Sequence, residues 1–402
     1  MAASIYLDNH ATTRVDPRVV QAMEPYFTEL YGNAGSTSHA FGREAKDAVE
    51  AARGTLAAAV GVSADEVVFT SGATESNNLA LRGLMERRQA RGRHVVSVQT
   101  EHRAVLDPLA RLARTGYDVT YLSVFPIQDT AGCGQVRVEQ LAQALRPDTQ
   151  LVSVMLANNE IGVIQPLAEI ARICHERGVL VHCDATQAVG KIPVNVAELD
   201  LDLMSFSAHK LYGPKGIGAL VVRRRSPPIR PIPLIEGGGQ EKGLRSGTLP
   251  VPLIVGFGSA VALCVTEMSA EAGRLAQLRD RLYAGLTQLI DRCELNGPPL
   301  AVDPSLGLTR LPNNLNVRFA GVAGESLMLS VPQVALSSGS ACSSASPQPS
   351  HVLRAIGLTD DEVRSSLRFG LGRFNTLEDI DVTVQLLSDA VARLRGMAGL
   401  ST

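Results

Sequence analysis

The sequence predicts an α/β protein, with a mainly parallel sheet covered by helices on both faces. Short apolar runs alternate with segments of helical period from about residue 67 to residue 222. Polar and small residues gather where those runs end, as they do at the functional edge of such a sheet. The chain has 402 residues, 45% of them apolar and 19% charged, enough for two domains with well-buried cores.

The elements follow in order. Residues 5–7 form a short strand that ends in the polar turn Asp8-Asn-His-Ala-Thr-Thr. His10, in that turn, reads as a surface or structural histidine. Asp16-Pro17 starts a helix that should run to about residue 30, and Tyr31-Gly-Asn-Ala-Gly-Ser is a loop. A helix is expected over 42–60. At 67–70 β-forming residues lead into Ser71-Gly-Ala-Thr74 and a further helix. A strand, a small-residue turn and a helix N-terminus together suit an anion, although plain N-capping explains the same pattern. No Gly-Lys-Ser/Thr follows, so this is not a Walker loop.

Strands are then expected at 94–98, 119–122, 151–156, 179–182 and 203–206, with helices at 104–115, 138–145 and 167–177. The stretch 202–220 reads as strand, exposed turn, strand, with Ser207, His209 and Lys210 on the bend before Gly213-Pro214. Arg223-Arg-Arg225 and four prolines, Pro227, Pro228, Pro231 and Pro233, mark a loop with a solvated basic face. A long helix over 251–291 leads to a smaller C-terminal part with a strand at 315–319, a helix at 324–330 and a closing helix from 377 to about 394. Between them, Ser337 to Ser350 carries no charge and is mostly Ser, Ala, Gly and Pro, which predicts a mobile surface loop holding Cys342.

The totals exclude several classes. The formal net charge is −2, so there is no basic field for nucleic acid or an anionic membrane. No apolar run is read as a membrane span, and the N-terminus has no signal-peptide pattern, so a cytoplasmic protein is expected. Six cysteines at irregular spacing, none in Cys-x-x-Cys, point to neither a zinc site nor a disulfide framework; most should be small buried hydrophobes. In His182-Cys-Asp184 the alternation of a strand puts His182 and Asp184 on one face and Cys183 on the other, a poor metal set. No metal is expected.

Ser-Phe-Ser-Ala-His-Lys210 followed by Gly-Pro-Lys-Gly resembles the lysine segment of cysteine desulfurases of the IscS/NifS kind, pyridoxal 5′-phosphate (PLP)-dependent members of the class V aminotransferase family. The resemblance extends from residue 5 to about 394. It includes Ser-Gly-Ala-Thr74, Thr-Glu-His102, Asn158-Asn-Glu-Ile-Gly, Asp184-Ala-Thr-Gln187, Arg-Ser-Gly-Thr248 and Ser-Ser-Gly-Ser-Ala-Cys342. It implies the PLP-dependent transferase (aspartate aminotransferase-like) fold. The large domain, 14–262, would hold a mainly parallel seven-stranded sheet; 1–13 and 263–402 would form a smaller α/β domain carrying the cysteine loop 337–350.

The resemblance also implies roles. Lys210 would hold PLP as a Schiff base and move the α-proton of the substrate. Asp184 would pair with the pyridine nitrogen, Gln187 would meet the ring 3-oxygen, and His102 would stack on the ring and take part in proton transfer. Ala73, Thr74, Ser207 and His209, with Gly72, would hold the phosphate, and Thr248 would reach the phosphate of the neighbouring subunit in a homodimer. Asn158 would lie against cofactor and substrate, Asn33 near both, and Arg368 would grip the substrate carboxylate. The Cys342 thiolate would take sulfur from L-cysteine as a persulfide, leaving L-alanine, and pass it to an acceptor protein for iron–sulfur cluster assembly, thio-cofactor synthesis or tRNA thiolation.

Two other readings keep the fold: a selenocysteine lyase, and a sulfur-relay partner without turnover. A nicotinamide-dependent dehydrogenase would need Gly-x-Gly-x-x-Gly after an early strand, which is missing. Few residues follow the last predicted helix, so the scaffold-docking tail of housekeeping desulfurases is expected to be short or absent here.

Overall fold

The computed structural model describes residues 4–88, 91–130, 132–300, 309–338 and 349–399. Strand β1 is Ile5–Tyr6. Helix α1 (Pro17–Met23) starts on Asp16, whose carboxylate accepts the Arg18 N–H at 2.9 Å, with Pro17 in its first turn. The single helix expected over 17–30 is interrupted. Pro25 has no N–H to continue the ladder, so α1 ends at Met23 and α2 (Pro25–Thr28) begins anew. Helix α3 is Ala40–Ala59 and strand β2 is Val67–Thr70. An unbroken helical run follows: α4 (Ala73–Asn78), one π turn (Leu79–Gly83) and α5 (Leu84–Arg88).

The alternating part contains β3 (His94–Val98), α6 (Arg103–Arg114), β4 (Asp118–Leu122), α7 (Val138–Ala144), β5 (Thr149–Ser153), α8 (Leu167–His175), β6 (Leu180–Asp184), β7 (Leu203–Ser207) and β8 (Gly218–Val222). With β2 these make a seven-stranded sheet in the order β2-β8-β7-β6-β5-β3-β4. Strand β8 runs antiparallel to β2 and β7; the other neighbours are parallel. Every residue of β2, β3, β5, β7 and β8 is buried, because helices cover both faces; that is why these strands are mostly apolar, with small or hydrogen-bonded polar residues such as His94, Ser97, Ser153 and Ser205 between.

Strand β5 stops at Ser153, short of the expected 156. Val154 and Leu156 still donate to the carbonyls of His182 and Asp184. On the other side β3 has ended, and the Met155 N–H is taken by the Glu101 carboxylate at 2.6 Å. A side chain has replaced the ladder there.

Helix α9 (Val251–Leu289) spans both parts of the molecule. Its first half, with Ile254, Phe257 and Val261, packs into the core around the large sheet. Its second half, with Leu275, Leu282 and Leu286, packs with Leu315, Val317, Phe319, Leu367, Phe369, Ile380 and Leu387. An 18-residue window of α9 reaches a mean hydropathy of 1.8, so by length and composition this helix matches a membrane span, contrary to the sequence reading. It lies against α1, α3 and α13 (Leu377–Met397), as a core helix does.

The second core is closed by β9 (Cys293–Leu295), β10 (Asn314–Phe319), α10 (Gly324–Ser330), β11 (Val334–Ala335), α11 (His351–Ala355), α12 (Asp360–Arg364) and β12 (Ser366–Gly370). Strands β12-β10-β9 form an antiparallel sheet, and β1 pairs in parallel with β11. The N-terminal strand is thus carried by the C-terminal half of the chain, and the turn after it is brought over the ends of β6 and β7.

Candidate active site

A cleft of about 860 Å³ opens at the C-terminal ends of the parallel strands, between the two cores. Lys210, Asp184, Gln187, His102, His209, Ala73, Thr74 and Arg368 all line it, from segments scattered over nearly 300 residues. A larger, more open cleft of about 1140 Å³ lies at the opposite strand ends, among Arg87, Arg88, Arg177 and Arg230, and contains none of the expected site residues.

Lys210 ends a 3₁₀ turn (Ala208–Lys210) that follows β7 directly. Its Nζ donates to the carbonyls of His10 and Ala11 at 2.5 and 2.6 Å. His209 Nδ1 lies 3.1 Å from the Thr12 hydroxyl; burial first, then the neighbouring Lys210, pushes its imidazole down to about 4, so it is neutral. Ser207 is buried just behind the residues that line the cleft, and its hydroxyl has no hydrogen-bond partner among the described residues.

Beside this turn lies Ser71-Gly-Ala-Thr74. Gly72 has φ 155°, outside the range comfortable for an L side chain. The turn presses against β8 at Gly218, where a Cβ would come within 2.6 Å of the Gly72 Cα. Ser71 N–H donates to Glu75 Oε2 at 2.8 Å, and Glu75 pairs with Arg245 at 3.0 Å. The amides of Ala73 and Thr74 open the helical run at the cleft.

Asp184 ends β6. Its Oδ2 accepts from Asn77 Nδ2 at 2.7 Å and its Oδ1 from the Thr186 N–H at 3.0 Å. His182, two residues earlier, serves the sheet: its Nδ1 and Nε2 lie 2.9 and 3.0 Å from the hydroxyls of Ser153 and Ser205 on the flanking strands. His102 caps α6, its Nδ1 accepting the Ala104 N–H at 3.0 Å. That bond places the proton of the neutral ring on Nε2, so His102 is primarily an N–H donor. Arg368, in the middle of β12 and 2% exposed, pairs with Asp8 at 2.9 Å and donates to the Asn159 carbonyl at 3.1 Å.

Besides Ser207, four expected residues do not line the cleft. Asn158 does not line the cleft: its Nδ2 donates to the Thr100 carbonyl at 2.9 Å and its Oδ1 accepts from the Glu160 and Ile161 amides, and Asn159 takes the place at the cleft wall. Asn33 is exposed, away from the cleft, and caps its own loop by accepting the Gly35 N–H. Thr248 is exposed and outside the lining of its own subunit's cleft. Cys342 lies outside the described residues.

Comparison with known proteins agrees with this geometry. Residues 5–383 match the family Aminotransferase class-V. Cysteine desulfurase IscS from Anaeromyxobacter dehalogenans (strain 2CP-C) is 54% identical over 400 residues, covering 100% of this chain and 95% of the relative. Cysteine desulfurase IscS from Pasteurella multocida (strain Pm70) is 51% identical, covering 100% and 96%. A solved NifS-like protein superposes with a TM-score of 0.87 at 38% identity, covering 97% of this chain and 100% of the other. The chain belongs to the class-V aminotransferase family, among its PLP-dependent cysteine desulfurases.

The cleft of this desulfurase fits the cofactor of its family. Buried polar atoms without partners among the described residues point to a multiply hydrogen-bonding ligand: Ser207 Oγ, Thr186 Oγ1 and Arg368 Nε. The glycine turn at Gly72 leaves open space where a Cβ would stand. The carboxylate of Asp184 and the amine of Lys210 are present at adjacent strand ends.

Several residues of the desulfurase site escaped the sequence reading. His10, read as surface or structural, is fully buried at the cleft wall; burial, with Lys191 and Arg368 nearby, holds its imidazole well below the usual range. Lys191 is buried behind Gln187, and burial together with Lys210 pushes its amine down to about 7. Glu160 is buried and accepts from Ser350 Oγ at 2.5 Å; burial pushes its carboxyl up to about 7. Lys191 follows Gln187 by four residues and Glu160 follows the Asn pair directly, but their burial depends on distant segments and leaves no local pattern.

Proposed function

We propose that the protein converts L-cysteine to L-alanine, takes the sulfur onto Cys342 as a persulfide and hands it to an acceptor protein. The observation that carries this reading is the meeting of Lys210 and Asp184, at neighbouring strand ends, with Arg368 in one cleft.

Bound PLP supplies an electron sink for the negative charge that develops at the substrate α-carbon. The chain does the rest. The glycine turn, with the amides of Ala73 and Thr74 and the hydroxyl of Ser207, binds the phosphate, and His209, held neutral, offers a ring nitrogen. Asp184 keeps a proton on the ring nitrogen, its own oxygens fixed by Asn77 and the Thr186 amide. Lys210 would hold the cofactor through Nζ, and the same amine would carry the α-proton of the substrate. Arg368 receives the substrate carboxylate through its guanidinium, and Asp8 holds that guanidinium in place. His102, which lines the cleft, would lie against the ring and offer Nε2–H.

The thiol chemistry falls to Cys342. The five described cysteines, Cys133, Cys174, Cys183, Cys264 and Cys293, are buried free thiols. Burial raises each of them, Cys133 to about 11 and Cys174, Cys264 and Cys293 to about 12, far from thiolate formation at neutral pH. We further read the protein as a cytoplasmic homodimer in which Thr248 completes the partner's site. The acceptor would be an iron–sulfur scaffold or another sulfur carrier.

The test is product balance. Purified protein with PLP, L-cysteine and a thiol reductant should give L-alanine and sulfide in equal amounts. A chain that forms neither, while converting a selenium analogue to L-alanine, would be a lyase of the same fold; one that binds PLP but turns over neither would be a relay partner.

A further inference from the structure

Gln187 sits at the end of a directed chain of hydrogen bonds. Arg310 is buried and has only donors; its Nη1 donates to Asn314 Oδ1 at 3.2 Å. That contact fixes the Asn314 amide, and its Nδ2 donates to the Glu160 carbonyl at 3.1 Å and to His10 Nε2 at 3.2 Å. With Nε2 accepting, the proton of neutral His10 lies on Nδ1, which donates to Gln187 Oε1 at 3.0 Å. The same Oε1 accepts from Lys191 Nζ at 2.8 Å. Gln187 Nε2 donates to the His10 carbonyl at 3.0 Å, the carbonyl that also receives Lys210 Nζ.

Two donors therefore set the polarity of the whole chain, the Arg310 guanidinium at one end and the Lys191 amine at the other. Both lone pairs of Gln187 Oε1 are engaged, and one Nε2 hydrogen is used. The capacity that Gln187 keeps for the cleft it lines is its second Nε2 hydrogen.

We propose that Lys191 is a positioning residue that locks the Gln187 amide so that a donor, never an acceptor, meets the 3-oxygen of bound PLP. The proposal rests on the reading of Gln187 as the partner of that oxygen. Below about pH 7, where its amine is protonated, Lys191 also brings charge. Lys210, Arg368, His10 and His209 face it from the cleft side, with Glu271 as the counterweight on α9. A donor and a positive charge at the ring oxygen both favour its anionic form, and so oppose proton uptake by the lysine-bound cofactor.

The readout is the pH-dependent absorbance of the cofactor in the holoenzyme, recorded without substrate. K191M should raise the midpoint by roughly one pH unit, a tenfold gain in proton affinity. K191R, which remains donor-only and charged, should return it to the wild-type value. Q187A should raise it as well, and K191M added to Q187A should shift it little further, because Lys191 acts through Gln187. If K191M does not give folded holoenzyme, K191A, which removes both the charge and the donor, should show the same rise.

An unshifted midpoint in K191M or K191A, with Q187A shifted, overturns the proposal and leaves the Gln187 reading standing. Full additivity of K191M and Q187A also overturns it, since Lys191 would then act by charge alone. If neither Q187A nor K191M moves the midpoint, Gln187 is not the partner of the ring oxygen and the proposal falls with that reading.

Discussion

Glu160 lies buried between Ser350, Arg368 and His102, with its carboxyl raised to about 7 by burial. In the unfolded chain the group titrates at 4.5. Below pH 4.5 it is protonated in both states and contributes no pH dependence. Between 4.5 and 7 the unfolded chain gives up the proton first, so folding stability falls as pH rises, and it levels above 7. The full difference is on the order of 3 kcal/mol. E160Q keeps a group able to accept from Ser350 and cannot ionise. Urea melts of both proteins should show the relative stability of E160Q growing from pH 4.5 to 7 and then holding constant; parallel pH curves would contradict the buried, neutralised carboxyl. At this scale the sequence showed residue types but not company. Lys210, Asp184 and Arg368 were legible because their motifs are long. His10 was not, because its partners Gln187 and Asn314 lie 177 and 304 positions away. The Asn158-Asn159 pair was read one position early: which of two adjacent asparagines turns toward a cleft is decided by the Thr100 carbonyl and by the backbone turn into Glu160, neither visible in the motif.

The strands and helices were mostly legible as elements, because strands buried on both faces appear as mostly apolar runs and helices between them keep a 3.6 period. Their ends were less so: β5 ends where a carboxylate replaces a neighbouring strand, and the first helix breaks where a proline removes a donor. One contact between elements carries a prediction. Gly218 on β8 lets the Gly72 turn approach to a distance that no Cβ permits. Gly218→Ala should push the turn outward, cost about 1–3 kcal/mol in stability and weaken PLP binding more than L-cysteine binding. Thermal melts of the apoprotein and fluorescence titration with PLP separate the two effects. Unchanged PLP affinity would mean that the turn does not hold the phosphate.

Across the whole molecule, the two apolar cores joined along α9 support a division that we propose at 14–262 against 1–13 with 263–402, the cleft lying between them. The membrane-like hydropathy of α9 lies in its apolar first half, which packs into the core around the large sheet. The exposed position of Thr248 supports the proposed dimer, in which each cleft draws one residue from its partner. Mixing K210A subunits with T248A subunits under exchange should recover about a quarter of wild-type activity, because half the dimers are hybrids with one intact cleft each. No recovery in demonstrably exchanged dimers would place Thr248 in the service of its own subunit.

The central claim is that carbon chemistry at Lys210 and sulfur capture at Cys342 are separate centres of one reaction. Sulfide release from L-cysteine with a reductant, measured for the intact protein and Cys342→Ala while the PLP absorbance of each is recorded, tests it most directly. The account predicts that both carry PLP and that only the intact protein releases sulfide. Equal release by the variant would contradict it, and would leave an enzyme that expels the chalcogen without a cysteine acceptor.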